Sequence, residues 1–256
     1  MRGPNRDLHS GSYGGTVHNP VQALAEIISA LHDEYGRVTV PGFYDDVLEL
    51  RPEERGLLAR VDYSQAQWQH DTGARLPWGD PAYSLLERMT ARPTCEVNGI
   101  WGGFSGEGGK TIIPAKAGAK ISCRLVADQD PQRIGQLFEQ HIKQIAPSAV
   151  EVEVHIFQGA RAAVTPFEGP QIKAAAQALE EVWGIPPVIS RMGGSLPVVA
   201  EFQHHLGAPF VLIPLGLDDN RHSPNEHYRL DYFRKGIQTA IRLYHHLAQE
   251  ASIDQK

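Results

Sequence analysis

The spacing of hydrophobic residues changes twice along this chain. Val21, Leu24, Ile27, Ile28 and Leu31 recur at helical spacing. Asn19-Pro20 supplies a natural start, with proline at the first helical position, and Gly36 after Tyr35 is the expected stop. From 37 to 92 the periodicity is weak. That stretch holds Pro41-Gly42-Phe43-Tyr44-Asp45-Asp46, an acidic helical patch at Pro52-Glu53-Glu54, and the aromatics Trp68, Trp78 and Tyr83. It reads as an insertion on a simpler module. Strand-like segments then take over. Thr94 to Trp101 predicts a strand, a Gly-rich turn follows, and a second strand runs from about Thr111 to Val126 with a break near Pro114. Asp130-Pro131 opens a helix carrying Ile134, Leu137, Ile142 and Ile145, and Glu151 to Ile156 alternates as a half-buried strand.

The pattern shifts again after about residue 166. A helix from Pro170 to Trp183 leads to a short apolar run, Pro187-Val188-Ile189, then to Arg191-Met192-Gly193-Gly194-Ser195 and another helix. The apolar run Phe210 to Leu215 precedes a polar loop, and a last helix covers about Leu230 to Gln249. Alternating strands and helices with near-continuous apolar strands imply a parallel sheet covered by helices. Two strands are too few to make such a sheet stable by themselves. The expected fold is therefore α/β. Residues 1–162 are expected to form a small α+β sandwich, an antiparallel sheet with two helices on one face, with 37–92 inserted. Residues 163–256 form the C-terminal part of an α/β domain whose opening is missing.

Composition narrows the functional classes. The net charge is -6, from 24 basic and 30 acidic residues, and no basic cluster stands out. That argues against a nucleic-acid or anionic-membrane surface. No apolar run approaches the ~20 residues that span a bilayer, and Met1-Arg2-Gly3-Pro4-Asn5-Arg6-Asp7 lacks the apolar core of a signal peptide. A cytoplasmic protein is expected. Cys95 and Cys123 lie in strand-like runs and read as small buried residues of a reducing compartment; a disulfide between neighbouring strands is the alternative.

The chemistry concentrates in Asn220-Arg221-His222-Ser223-Pro224-Asn225-Glu226-His227, just after an apolar strand. Polar loops at the carboxyl ends of strands are where α/β enzymes present metal ligands. His222 is the best candidate ligand; a solvated loop histidine is the competing reading. His9, in a Gly-rich turn, reads either as a donor that polarises a substrate carbonyl or as an ordinary turn histidine. Gly193-Gly194-Ser195 precedes a helix, where backbone N–H groups either bind a carboxylate or take Ser195 as a simple cap. The chain has no Gly-x-Ser-x-Gly elbow, phosphate loop, CxxC pair or His-Glu-x-x-His helix.

Taken together and in order, these segments resemble a family. They begin with Arg2-Gly3-Pro4-Asn5-Arg6-Asp7-Leu8-His9-Ser10-Gly11-Ser12-Tyr13-Gly14-Gly15 and Val40-Pro41-Gly42-Phe43-Tyr44-Asp45-Asp46. They continue with Asn98-Gly99-Ile100, the run from Lys110 to Ala117, and Arg124-Leu125-Val126. Arg191-Met192-Gly193-Gly194-Ser195-Leu196-Pro197 and His222-Ser223-Pro224-Asn225-Glu226 complete the set. The set resembles carnosinase-like dipeptidases. These are co-catalytic zinc metallopeptidases, a group that includes aminoacylase, succinyl-diaminopimelate desuccinylase and carboxypeptidase G.

The resemblance implies metal-dependent hydrolysis of dipeptides or N-acyl amino acids by a homodimer joined through its lid domains, with two divalent metals, zinc or manganese. It implies that His222 is a metal ligand and that His9 stabilises the oxyanion of the partner's active site. Asn98 and Thr111 would lie near the partner's substrate, Arg124 would bind its C-terminal carboxylate, and Gly194 and Ser195 would contact it from the catalytic side. A planar guanidinium suits the carboxylate task. The family pattern has Arg-Glu-Gly-Gly-Ser where this chain has Met192, which leaves recognition of the substrate's amino end open. The family's His-x-Asp motif, bridging Asp and Glu-Glu pair precede the lid, and this chain begins at the lid. The expectation is a C-terminal portion of a peptidase, inactive alone and with an incomplete metal site. The alternative function is a non-catalytic dimerisation and interaction module.

Overall fold

The computed structural model describes residues 1–157, 159–192, 196–217 and 224–253. Four strands are present among them: β1 (Leu8–His9), β2 (Thr94–Gly102), β3 (Ile112–Ile113) and β4 (Ala117–Arg124). The helices are α1 (Ser10–Tyr13), α2 (Pro20–Ala30), α3 (Pro52–Leu58), α4 (Gln65–Thr72), α5 (Leu85–Thr90), α6 (Pro131–Ile145), α7 (Pro170–Trp183), α8 (Pro197–Leu206) and α9 (Leu230–Ile253). The chain divides into two compact units. One comprises 1–55, 62–162 and 191–197; the other comprises 56–61, 163–190 and the chain from 198 on.

The first unit is organised by the antiparallel pairing of β2 with β4. Its register sets Thr94 opposite Arg124, Cys95 opposite Cys123 and Val97 opposite Ile121, with a bulge before Gly99. Alternation along both strands turns Cys95, Val97, Ile121 and Cys123 to one face and Thr94, Glu96, Ser122 and Arg124 to the other. The inner face is sealed by α2 and α6. Ile27, Leu31, Val38, Val40, Phe43, Cys95, Ile134 and Ile142 form the buried core, each less than a tenth exposed. Fully burying a side chain of the Leu, Ile or Phe kind contributes roughly 1.5–3 kcal/mol each.

The two covering helices start as their sequences predict. Asn19 Oδ1 accepts from the Val21 N–H at 2.9 Å, and Asp130 Oδ1 accepts from the Gln132 and Arg133 N–H groups at 2.8 and 3.2 Å. Both helices carry proline in the first turn, where no donor is lost. The first helix ends earlier than expected, at Ala30. The Asp33 carboxylate takes the N–H groups of Tyr35 and Arg37, both at 2.9 Å, and builds a turn in which Gly36 adopts φ +76°. Leu31 is fully buried all the same.

Two further departures concern strands. The alternating run after Glu151 forms a single bridge, Glu151 to Arg2, rather than a strand. Val152 and Val154 still pack on the core, so burial follows the alternation while the ladder stops. The irregular stretch contains three short helices, α3 to α5. Ser64 caps α4, and Ser84 with Glu87 forms a reciprocal capping box on α5.

In the second unit α7 packs on α9. Ala174, Ala175 and Ala178 are buried and allow close approach. Trp183 meets Tyr232 edge-on at 4.9 Å between centroids, and its indole N–H donates to Thr239 Oγ1 at 3.3 Å. The expected parallel sheet is not formed among the described residues. The runs 187–189 and 210–215 carry no ladder, because a strand needs a hydrogen-bonded neighbour and none of the described segments supplies one. Phe233, Ile237, Ile241 and Tyr244 of α9 are exposed. No described helix is long and apolar enough to cross a membrane.

One buried group makes the first unit sensitive to pH. His141 falls within the apolar stripe of α6, and neither ring nitrogen has a hydrogen-bond partner. Burial depresses its pKa below the ordinary 6.5. The folded state therefore binds fewer protons than the unfolded state, and stability falls as pH drops below about 6.5. His141→Leu should flatten that acid limb and stabilise the protein by about 1 kcal/mol at pH 5. Thermal melts of both proteins across pH 5–8 measure the difference.

Candidate functional site

His9 ends β1 and caps α1, so its position is set by two short elements at once. β1 pairs with β3 in a register that places His9 opposite Ile112. The Ser10 N–H donates to the Thr111 carbonyl at 3.0 Å. This pairing brings His9 Nε2 to 3.4 Å from Thr111 Oγ1, a long contact between two exposed side chains 102 residues apart. Gly11 makes room for the ring: a Cβ there would lie 2.7 Å from His9 Cε1. A side chain at residue 11 would displace the imidazole.

Asn98 and Arg124 stand on the other ladder, both exposed. Asn98 occupies the bulge of β2, and Arg124 closes β4 opposite Thr94. Asn98 lies four positions along β2 from Thr94, a span of about 13 Å in regular strand. No ion pair involves Arg124 among the described residues, which leaves five guanidinium N–H donors for a ligand. Gly194, Ser195 and His222 lie outside the described residues. Met192 is described and half exposed.

Sequence reasoning missed one anchor beside these positions. Arg191 Nε and Nη2 donate to the Glu54 carboxylate at 2.9 and 3.1 Å, and Nη1 donates to the Leu48 carbonyl at 3.0 Å. Both side chains are close to buried, at 12% and 14% exposure. The fork ties the residue two before Gly193 to α3, 137 residues away in sequence. A residue-level signal was present, since Glu54 sits in the acidic first turn of α3, but nothing local identified its partner.

The described residues do not assemble a metal centre. No group of three or more His, Cys, Asp or Glu side chains converges among them. The described donors by themselves do not fit a two-metal site.

Comparison with known proteins places the chain. Residues 1–150 match the family described as the peptidase dimerisation domain of M20 peptidases. The chain belongs to that family. It is 36% identical over 253 residues to the Cys-Gly metallodipeptidase dug1 of Schizosaccharomyces pombe, covering 97% of this chain and 53% of the relative. It is 28% identical over 249 residues to the Beta-Ala-His dipeptidase of Homo sapiens, covering 96% of this chain and 49% of the relative. Among solved structures, an M20 family metallo-carboxypeptidase from Sulfolobus solfataricus superposes with TM-score 0.84 at 31% identity, over 95% of this chain and 55% of that one. The dipeptidase Dug1p of Saccharomyces cerevisiae superposes with TM-score 0.80 at 29% identity, over 97% and 53%. The chain spans about half the length of the curated relatives it matches.

The Arg191 fork should be measurable as stability. Arg191→Ala strands the Glu54 carboxylate and should cost roughly 2 kcal/mol. That is less than a fully orphaned buried charge, because Arg51 Nε stays 3.6 Å from Glu54. Replacing both, as Arg191→Met with Glu54→Leu, should recover most of the loss in urea unfolding.

Proposed function

We propose that this chain is the lid and the C-terminal catalytic portion of a two-metal M20 peptidase that hydrolyses dipeptides or related amides. The observation that carries this reading is likeness over nearly the whole chain, 97% of it, to a Cys-Gly metallodipeptidase. The first unit is taken as the lid domain and the second as part of the catalytic domain. The native metal is zinc or manganese, and the compartment is the cytoplasm.

The proposed roles follow the chemistry of each group. His9 donates from an imidazole nitrogen to the oxyanion formed in the partner's site, and Thr111 steadies its ring. Arg124 receives the substrate carboxylate, for which an unpaired guanidinium on an open strand face is well suited. Asn98 contacts the substrate from the same ladder, and Gly194 and Ser195 do so from the catalytic side. His222 is a metal ligand. The lid domains join two copies into a homodimer. In support, β2 pairs only with β4 among the described residues, leaving its other edge open. Ile100 and Trp101 near its end are more than half exposed. An open edge beside exposed apolar side chains is the kind of surface a second copy covers.

A second reading is favoured by the lack of a convergent donor cluster among the described residues: this chain alone is a dimerisation module without turnover. Metal analysis of the purified 256-residue protein separates the two. Two tightly held metals per chain, with rapid dipeptide cleavage after adding zinc or manganese, would show that the isolated chain is itself an enzyme. The expected outcome is a dimer by sedimentation, with incomplete metal and no turnover. In an enzyme that supplies the remaining ligands, His9→Ala and His222→Ala should each abolish activity. Their mixture should recover about a quarter of it, because each mixed dimer holds one complete site. Absence of recovery after subunit exchange would refute action in trans.

A further inference from the structure

The register of β2 and β4 sets Cys95 directly opposite Cys123. Direct partners in an antiparallel ladder have Cα atoms about 5.5 or about 4.5 Å apart, according to whether they exchange hydrogen bonds. Both spacings lie within the roughly 4.4–6.8 Å that a disulfide spans. Both thiols are free. They point to the same face, where α2 and α6 cover them. Cys95 is 1% exposed and Cys123 is partly exposed.

The two sulfurs are also electronically unequal. A hydrogen bond from Cys95 lowers the Cys123 pKa below its ordinary range. The same bond, with burial added, raises Cys95. Of the two, Cys123 is the readier to ionise, and Cys95 is the donor beside it. These are the only two cysteines in the chain.

We propose that Cys95 and Cys123 form a reversible redox site, in which hydrogen peroxide converts the opposed thiols into a cross-strand disulfide. The Cys123 thiolate attacks one peroxide oxygen, the O–O bond breaks, and the departing hydroxide leaves as water with a proton. Cys123 becomes a sulfenic acid. The Cys95 sulfur then attacks the Cys123 sulfur. The S–O bond breaks, the S–S bond forms, and the Cys95 proton leaves with the hydroxyl as a second water. Two thiols lose two electrons and two protons, and the peroxide is reduced to two waters. A dithiol reductant reverses the change. The closed loop from 95 to 123 contains Asn98 and Thr111, and Arg124 follows at once. The staple thus lies beneath the residues proposed to meet substrate, although the thiol chemistry does not depend on that reading. The small oxidant follows from the burial of Cys95 and the partial cover over Cys123, which disfavour bulky disulfides.

The test uses the 256-residue chain. It is exposed to hydrogen peroxide, denatured, alkylated and mapped by peptide mass. The expected result is joint loss of both thiols, with one cross-linked peptide pair joining Cys95 to Cys123 and recovery by dithiothreitol. Oxidation should also raise the unfolding midpoint reversibly, as loop closure does. Cys95→Ser should stop the reaction at a Cys123 sulfenic acid that dimedone labels, and Cys123→Ser should leave Cys95 unlabelled. Persistent free thiols, over-oxidised Cys123 without a cross-link, a link between two chains, or dimedone labelling of Cys95 in Cys123→Ser would each overturn the proposal. If a variant fails to fold, the peptide map of the unmodified chain still decides.

Discussion

The pairing of β2 with β4 is the constraint from which the rest of the first unit follows. Side chains alternate across a strand, so one register decides two surfaces at once. With Thr94 opposite Arg124, the cysteines and Val97 and Ile121 face the helices, while Arg124 faces outward. Slipping the register by one residue would bury a guanidinium under α2 and α6, at a cost that the apolar core could not offset. The same geometry that packs the core therefore presents the Arg124 guanidinium to solvent. It also stacks two thiols against each other in a layer otherwise built from aliphatic and aromatic side chains.

Polar side chains hold the surrounding loops to this frame. The buried Gln129 donates to the Phe43 carbonyl at 2.7 Å, which fixes the loop that delivers Phe43 to the core. The Arg191 fork does the same for the chain entering the Gly-Gly-Ser segment. Such contacts matter because a buried carbonyl or carboxylate left unpaired is costly. His9 depends on a comparable arrangement. Its ring lies over Gly11 and beside Thr111, and the short β1–β3 pairing makes both neighbours available.

Much of the first unit was legible in the chain. Asn19-Pro20 and Asp130-Pro131 marked the helix starts because capping and proline act locally. The Leu31 position was right about burial but wrong about helix length, since the Asp33 turn competes with further helix. Glu151 to Ile156 showed the right alternation without the ladder, because alternation reports burial and a ladder requires a neighbour. The two apolar runs of the C-terminal half failed as strands among the described residues for the same reason. Resemblance singled out His9, Thr111, Asn98 and Arg124 as candidates, and of these the structure brings His9 and Thr111 together, a contact that neither segment announces. The Arg191–Glu54 fork was invisible, since its partners are 137 residues apart and neither is unusual where it stands.

The sequence by itself determined where helices begin, which faces carry apolar side chains, and which family the ordered segments resemble. Those are properties of short range and fixed period, set by backbone geometry and side-chain type. Tertiary structure alone decided the register that opposes Cys95 with Cys123, the contact of His9 with Thr111, and the burial of Arg191 against Glu54. Each of those depends on two distant segments meeting. The free energy of that meeting is spread over the whole core rather than written at either residue.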